Sequence, residues 1–186
     1  MKYYEIQRGH ELMIAHKFMT KNKIRFCVTG TLALQLIGAL PPEYIVGDID
    51  IIVFADSEDD VERFRSIFNG LDLLSNGGFD RKLKQYDDPP YTFNINDVKV
   101  NVWVTSSQPE DNFINVVIES DHYLVHTFRT AMHYKMILAR NKDFIFQSRL
   151  IRYITQIADN DVFNYKRVKK LINEQNCTKL EDGKAV

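Results

Sequence analysis

Residues 26–54 read FCVTGTLALQLIGALPPEYIVGDIDIIVF, and the architecture of the domain can be predicted from the pattern of this segment. A short apolar run, Phe26 to Val28, reaches the turn Thr29-Gly30-Thr31, and the pattern then becomes helical. Apolar side chains follow almost all round that helix, which predicts that the helix is buried. They are Leu32, Ala33, Leu34, Leu36, Ile37 and Leu40. Pro41-Pro42 and Gly47 break the helical pattern.

Two carboxylates come next, directly before a second apolar run. Asp48-Ile49-Asp50 leads into the apolar run from Ile51 to Phe54, which predicts a strand. Side chains alternate along a strand, so we expect Asp48 and Asp50 to point to one face and Ile49 to the other. Two carboxylates on one face repel each other unless a cation or a basic partner lies between them. The order of strand, Gly-Thr turn, buried helix and Asp-x-Asp strand therefore indicates an ion and phosphate site.

This order of elements resembles the nucleotidyltransferase superfamily, whose signature has the same strand, turn, helix and Asp-x-Asp strand. GTLALQL, residues 30–36, is most similar to the abortive-infection-type and aminoglycoside-type branches. The resemblance implies an α/β (α+β) fold, a mixed sheet with packed helices. The pattern along the chain predicts a core with an N-terminal helix in residues 1–121, C-terminal helices in 122–173 and a polar tail in 174–186.

The resemblance also implies a reaction, the Mg²⁺-dependent transfer of a nucleoside monophosphate from a nucleoside triphosphate to a hydroxyl. Asp48 and Asp50 are then the magnesium ligands, because hard oxygen ligands and phosphates suit this ion. Gly30 and Thr31 would present backbone N–H groups and a hydroxyl to the phosphates. The acceptor hydroxyl could belong to a small molecule, a protein side chain or an RNA end.

The sequence departs from the family pattern at the third acid. Active members usually supply another Asp or Glu from a neighbouring strand, and the matching position here is Asn101. An amide brings no charge and cannot act as a general base. Where related sequences often read Arg-x-Ser/Thr-x-Asp, residues 44–48 read YIVGD. A second reading therefore stays open, in which the domain is a catalytically inactive structural or assembly subunit or a protein-binding partner.

A basic group further along the chain also matches the family. YKMILARNKDF, residues 134–144, is similar to the helix that follows the catalytic sheet. By position, Lys135, Arg140 and Lys142 would reach the triphosphate. The alternative is a solvated helix end whose cations complement the C-terminal dipole.

The remaining pattern predicts the other elements of the domain. Helices are expected over residues 3–21, from the cap Ser57 to about residues 69–70, and from about His122 onward. Strands are expected at 81–85, 91–95, 98–104 and 115–118, with a tight turn at Asn96-Asp97. The predicted core includes Val28, Leu34, Leu36, Ile49, Ile51, Val53, Val100 and Val102.

Composition places the chain among intracellular globular domains. Its 186 residues are 45% hydrophobic with a net charge of −1, and no apolar run has the length of a membrane span. The N-terminal residues lack the apolar core of a signal peptide, and two cysteines give no disulfide framework. A reducing, cytoplasmic location is the expectation. Acidic residues predominate before residue 122 and basic ones after it, and the polar tail is a candidate contact for a protein partner.

Overall fold

The protein has a mixed α/β fold of the α+β class, as the sequence predicts. The computed structural model describes residues 1–40, 44–74, 90–106 and 112–138, in which six strands form one sheet and four α-helices pack with it. In chain order, the elements are a 3₁₀ turn at Tyr3–Glu5, α1 (Gly9–Lys21), β1 (Phe26–Thr29), α2 (Gly30–Leu36), β2 (Ile49–Ala55), α3 (Glu58–Leu74), β3 (Tyr91–Ile95), β4 (Val98–Ser106), β5 (Phe113–Ile118), β6 (Asp121–His126) and α4 (Phe128–Leu138).

The sheet combines parallel and antiparallel pairs in the order β3-β4-β2-β1-β6-β5. The pairs β2–β4 and β1–β6 are parallel, and the other three pairs are antiparallel. The two central strands are β1 and β2, which are the strands on either side of the Gly-Thr turn and the buried helix. The quoted stretch therefore supplies the centre of the sheet.

One face of the sheet carries the main hydrophobic core. All eight predicted core residues are buried in it. Buried side chains of α1, including Leu12 and Met19, and of α3, including Phe64 and Phe68, belong to the same cluster. Strand alternation leaves the opposite face of β2 and β4 to Asp50 and Asn101.

Two local predictions are confirmed by backbone geometry. The Ser57 hydroxyl accepts a hydrogen bond from the Asp60 N–H at 3.1 Å, as expected for the cap of α3. Asn96 and Asp97 link β3 to β4 with φ angles of 48° and 63°, the left-handed pair that a tight hairpin turn requires.

Several predicted boundaries are wrong. The single helix over residues 3–21 is a 3₁₀ turn followed by α1, because Arg8 adopts a left-handed φ of 65° between them. The helix from Ser57 continues to Leu74 rather than ending at 69–70, and the strand predicted from 115 begins at Phe113.

The largest correction concerns the segment from His122 to His126, which was predicted to be helical. It lies in β6, hydrogen-bonded between β1 and β5. Tyr123 and Val125 belong to the main core cluster, whereas Leu124 packs with the cluster on the other face, so this short segment follows a strand period. The helix begins only at Phe128.

Some predictions lie outside the described residues and stay predictions. They are the strand at 81–85, the helices beyond Leu138 and the polar tail. The predicted division into C-terminal helices up to residue 173 and a tail after it therefore also stays a prediction. Within the described residues, no helix combines the length and the apolar character needed to cross a membrane.

Candidate functional site

The candidate site lies where the central strands meet at one end of the sheet. Thr29 ends β1 and is paired with Asp50 near the start of the antiparallel strand β2. Asp50 is in turn paired with Asn101 of the parallel strand β4. The sheet register therefore brings the Gly-Thr turn, the second carboxylate of Asp-x-Asp and the third-acid position into one row.

Asn101 connects the two carboxylates. Its Nδ2 donates to Asp50 Oδ1 at 3.0 Å and to Asp48 Oδ2 at 3.3 Å, so both carboxylates lie on the same side, as the alternation predicts. Thr92 Oγ1 donates to Asn101 Oδ1 at 3.1 Å, which fixes the amide with its NH₂ group toward the acids. The amide therefore supplies the donor that two neighbouring carboxylates require.

Gly30 packs directly against the Asp50 carboxyl group. Its φ of +67° is in the left-handed region, and a Cβ built on it would collide with Asp50 Oδ2 and lie 3.1 Å from Asp50 Cγ. Only glycine meets both conditions without displacing a neighbour. Asp50 thus lies between the turn that starts α2 and the Asn101 amide, and Thr31 is the second residue of α2, half-buried beside this turn.

His126 is a buried polar residue next to the turn that the sequence did not single out. Its Nδ1 lies 2.8 Å from Thr29 Oγ1, and the side chain is fully buried at the end of β6. Burial lowers the pKa of His126 to about 4, so the ring is neutral at physiological pH. The sequence analysis missed this contact because it predicted a helix over residues 122–126, and a helix there would not place His126 in the sheet. Strand alternation from Tyr123 was the available signal.

An apolar cluster adjoins the polar row on the same face. Cys27, Ile52 and Phe54 are buried in it, with Trp103, Phe113 and Leu124 packed against them. Trp103 follows Asn101 by two residues, so it lies about 7 Å further along the same face of β4. Burial strongly raises the pKa of the Cys27 thiol, which makes it a packing residue rather than a nucleophile.

The donor set suits a hard cation only in part. Two carboxylates fit Mg²⁺, which is commonly held by one or two carboxylates together with substrate phosphates. Among the described residues, no group of three or more His, Cys, Asp or Glu side chains has the arrangement of a metal centre. Asn101 fills the third position with an amide whose nitrogen, not its oxygen, faces the acids. The site therefore offers fewer ligands than a closed metal cage, and phosphate oxygens would have to complete the coordination.

The predicted basic residues are not tested by this geometry. Lys135 lies on α4, where only the backbone is described at this position, and Arg140 and Lys142 lie outside the described residues. Of the predicted site residues, the structure brings together Gly30, Asp48, Asp50 and Asn101, and Thr31 follows Gly30 on α2.

The sequence has no match among the protein-family models searched and none among the curated proteins.

Proposed function

We propose that this face binds a nucleoside triphosphate with Mg²⁺ and transfers its nucleoside monophosphate to a hydroxyl acceptor, as in nucleotidyltransferases. The observation that carries the proposal is the convergence of Asp48 and Asp50 on one side, with Gly30 packed against Asp50. A purely structural role would not require the Gly-Thr turn and both carboxylates to lie together.

The residues would divide the work as follows. Asp48 and Asp50 would hold the cation, which would supply positive charge to the phosphate groups and so favour attack at the α-phosphorus. Gly30 leaves room for the Asp50 carboxyl group beside the turn, so this ligand can lie next to the start of α2. Asn101 holds the two carboxylates in place through its NH₂ group.

The transfer itself forms a bond between the acceptor oxygen and the α-phosphorus and breaks the bond from that phosphorus to the β-phosphate, releasing pyrophosphate. The hydroxyl proton must pass to one of the two carboxylates or to water, because an amide cannot accept it as a base. We therefore expect slow turnover in comparison with a site that has three acids.

A calorimetric titration with Mg²⁺ and each nucleoside triphosphate tests the proposal, with pyrophosphate release as the measure of turnover. The wild type should bind, and Asp50→Ala should abolish binding. Asp56→Ala is the matched control, because Asp56 is an exposed carboxylate in the loop after β2. A wild-type protein that binds neither ligand would refute the proposed function.

A second function is favoured by the Asn101 amide. Since it donates to both acids, the carboxylate pair is stabilised without any cation, as expected for a domain that has lost catalysis and serves as a structural subunit or a protein-binding partner. Nucleotide turnover that appears only in Asn101→Asp would support this function. Robust turnover of the wild type that Asp50→Ala abolishes would exclude it.

A further inference from the structure

The loop that carries Asp48 is held by side chains from the N-terminal segment. Residues 45–48 form no helix or strand, so their backbone groups need other partners. Gln7 Oε1 accepts from the Val46 N–H at 3.0 Å, and Arg8 Nε donates to the Val46 carbonyl at 2.9 Å. Both backbone groups of Val46 are therefore bound by two consecutive side chains, and the Val46 side chain is fully buried.

Only Gly47 and Asp48 lie between Val46 and the first residue of β2, Ile49. Gly47 is exposed, and a Cβ placed on it would have no neighbour within 4 Å. Asp48 follows directly, and its carboxylate must reach the Asn101 amide at 3.3 Å. Asp48 thus lies between two fixed points, which are Ile49 at the start of β2 on one side and Val46 on the other, with a single glycine in between. The N-terminal segment sets the second of these points.

The backbone of the N-terminal segment is fixed in a demanding conformation. Arg8 has a left-handed φ of 65°, which costs a non-glycine residue about 1 kcal/mol or more. The next residue, Gly9, is packed so closely against the Tyr3 carbonyl that a Cβ would collide with it. Such a conformation persists only where the surroundings determine it.

The other end of the segment is anchored to the β5–β6 turn. The Tyr3 hydroxyl is hydrogen-bonded to Asp121 and lies 2.6 Å from the Tyr123 hydroxyl. The Glu119 N–H donates to the Met1 carbonyl at 2.9 Å. The segment is therefore tied at one end to the β5–β6 turn and at the other to the loop before Asp48.

We propose that Gln7 and Arg8 are positioning residues for the candidate site, which act through Val46 to set the Asp48 carboxylate beside Asp50. This role rests on the proposed function, which supplies the ligand, a cation with a nucleoside triphosphate. It assigns the N-terminal segment a role in cation and triphosphate binding that the Asp-x-Asp signature does not include.

Terbium(III) is a suitable probe of binding, because it is a hard cation and Trp103, the single tryptophan of the chain, can sensitise its luminescence from the same face. Gln7→Leu removes the acceptor for Val46, whereas Gln7→Glu keeps an oxygen there. Arg8→Gly removes the donor and relieves the left-handed strain, so this variant is expected to fold. We expect Gln7→Leu and Arg8→Gly to weaken terbium binding about tenfold, as loss of outer-shell support does, and Gln7→Glu to restore it.

A second measurement needs no ligand. The Asn101 side-chain NH₂ resonances report its hydrogen bonds to Asp48 and Asp50, so Gln7→Leu and Arg8→Gly should shift them and Gln7→Glu should not. Phe64→Leu is the control for a general loss of stability, because it removes packing from α3 in the core and leaves the two side chains that hold Val46 unchanged.

The outcomes separate the two proposals. Wild-type terbium affinity together with unshifted Asn101 resonances in Gln7→Leu and Arg8→Gly would overturn the positioning role, whatever the protein binds. Equal losses in Phe64→Leu would overturn it too. If the wild type binds no cation but the Asn101 resonances shift as expected, the positioning role is supported and the proposed function fails.

Discussion

Replacing Asn101 by Asp should make the stability of the domain depend on a cation. The substitution restores the third acid and retains the acceptor for Thr92, but it removes the NH₂ group that donates to Asp48 and Asp50. A hydrogen bond to a charged group contributes about 1.5–3 kcal/mol. The two bonds of this half-buried amide therefore stabilise the carboxylate pair by about 3 kcal/mol, at the lower end of that range.

The new carboxylate also introduces repulsion. Two unit charges about 3 Å apart repel by roughly 5 kcal/mol at an effective dielectric constant of 20. Protonation of one carboxyl removes this repulsion. Holding a proton at pH 7 on a group with an ordinary pKa near 4 requires about 4 kcal/mol, so the repulsion cannot cost more than that amount. We expect Asn101→Asp to lose at least about 4 kcal/mol of unfolding free energy at pH 7 in EDTA, because any hydrogen bond that is not replaced adds to the cost of the proton. This is a fall in Tm of at least about 8–16 °C.

The loss should depend on pH and on Mg²⁺ in a defined direction. One carboxyl of the triad has a raised pKa in the folded variant, so the folded state holds more protons than the unfolded state between about pH 4 and that raised value. Stability then falls as pH rises, and the deficit shrinks toward pH 5. Mg²⁺ at 100 times its Kd should restore about 2.7 kcal/mol.

Urea unfolding of wild type and variant, at pH 5 and 7 and with EDTA or Mg²⁺, measures these quantities. Asn94→Asp is the matched control, because Asn94 is exposed on β3 opposite Lys99 and should change stability by less than about 0.5 kcal/mol. An Asn101→Asp protein as stable as wild type in EDTA at pH 7 would refute the role assigned to the amide.

Three further predictions concern the turn and its surroundings. Gly30→Ala should lower the unfolding free energy by about 1–3 kcal/mol and weaken terbium binding, because the added Cβ would displace Asp50. Gly70→Ala on α3 is the control, and it should raise the unfolding free energy by about 0.5–1 kcal/mol in the same urea titration. His126→Gln should make the unfolding free energy less sensitive to acid. The pKa of His126 is about 4 in the folded state and 6.5 in the unfolded state, so the wild type loses stability as the pH falls between these values. The loss is about 3 kcal/mol, and the variant should not show it. Unfolding at pH 7 and pH 4.5 checks this, and parallel curves for the two proteins would contradict it. Cys27 should not react with iodoacetamide in the folded protein, since it is fully buried and its pKa is raised, and peptide mass spectrometry should find it labelled only after unfolding.

The local features of the site could be read from the sequence. Alternation assigned Val100 and Val102 to the core, because a strand has a fixed period of two. It also predicted that Asp48 and Asp50 share one side, and both contact the Asn101 amide, although Asp48 lies one residue before the start of β2. The sequence also predicted that Asn101 occupies the third-acid position, and the sheet register pairs this residue with Asp50. Gly30 was also predicted for close approach, although the sequence suggested phosphate as the neighbour and the structure shows the Asp50 carboxyl there.

The contacts between distant segments came only from the tertiary structure. The pairing of β6 with β1 brings His126 to Thr29, and no pattern within residues 121–126 specifies which strand lies alongside. The contact of Gln7 and Arg8 with Val46 joins residues almost forty positions apart through backbone groups, which leave no trace in side-chain chemistry. The orientation of the Asn101 amide likewise depends on Thr92 from the neighbouring strand. Periodicity determines which face a side chain occupies, but its partners are decided by sheet order and register, because these bring together residues that the chain keeps apart.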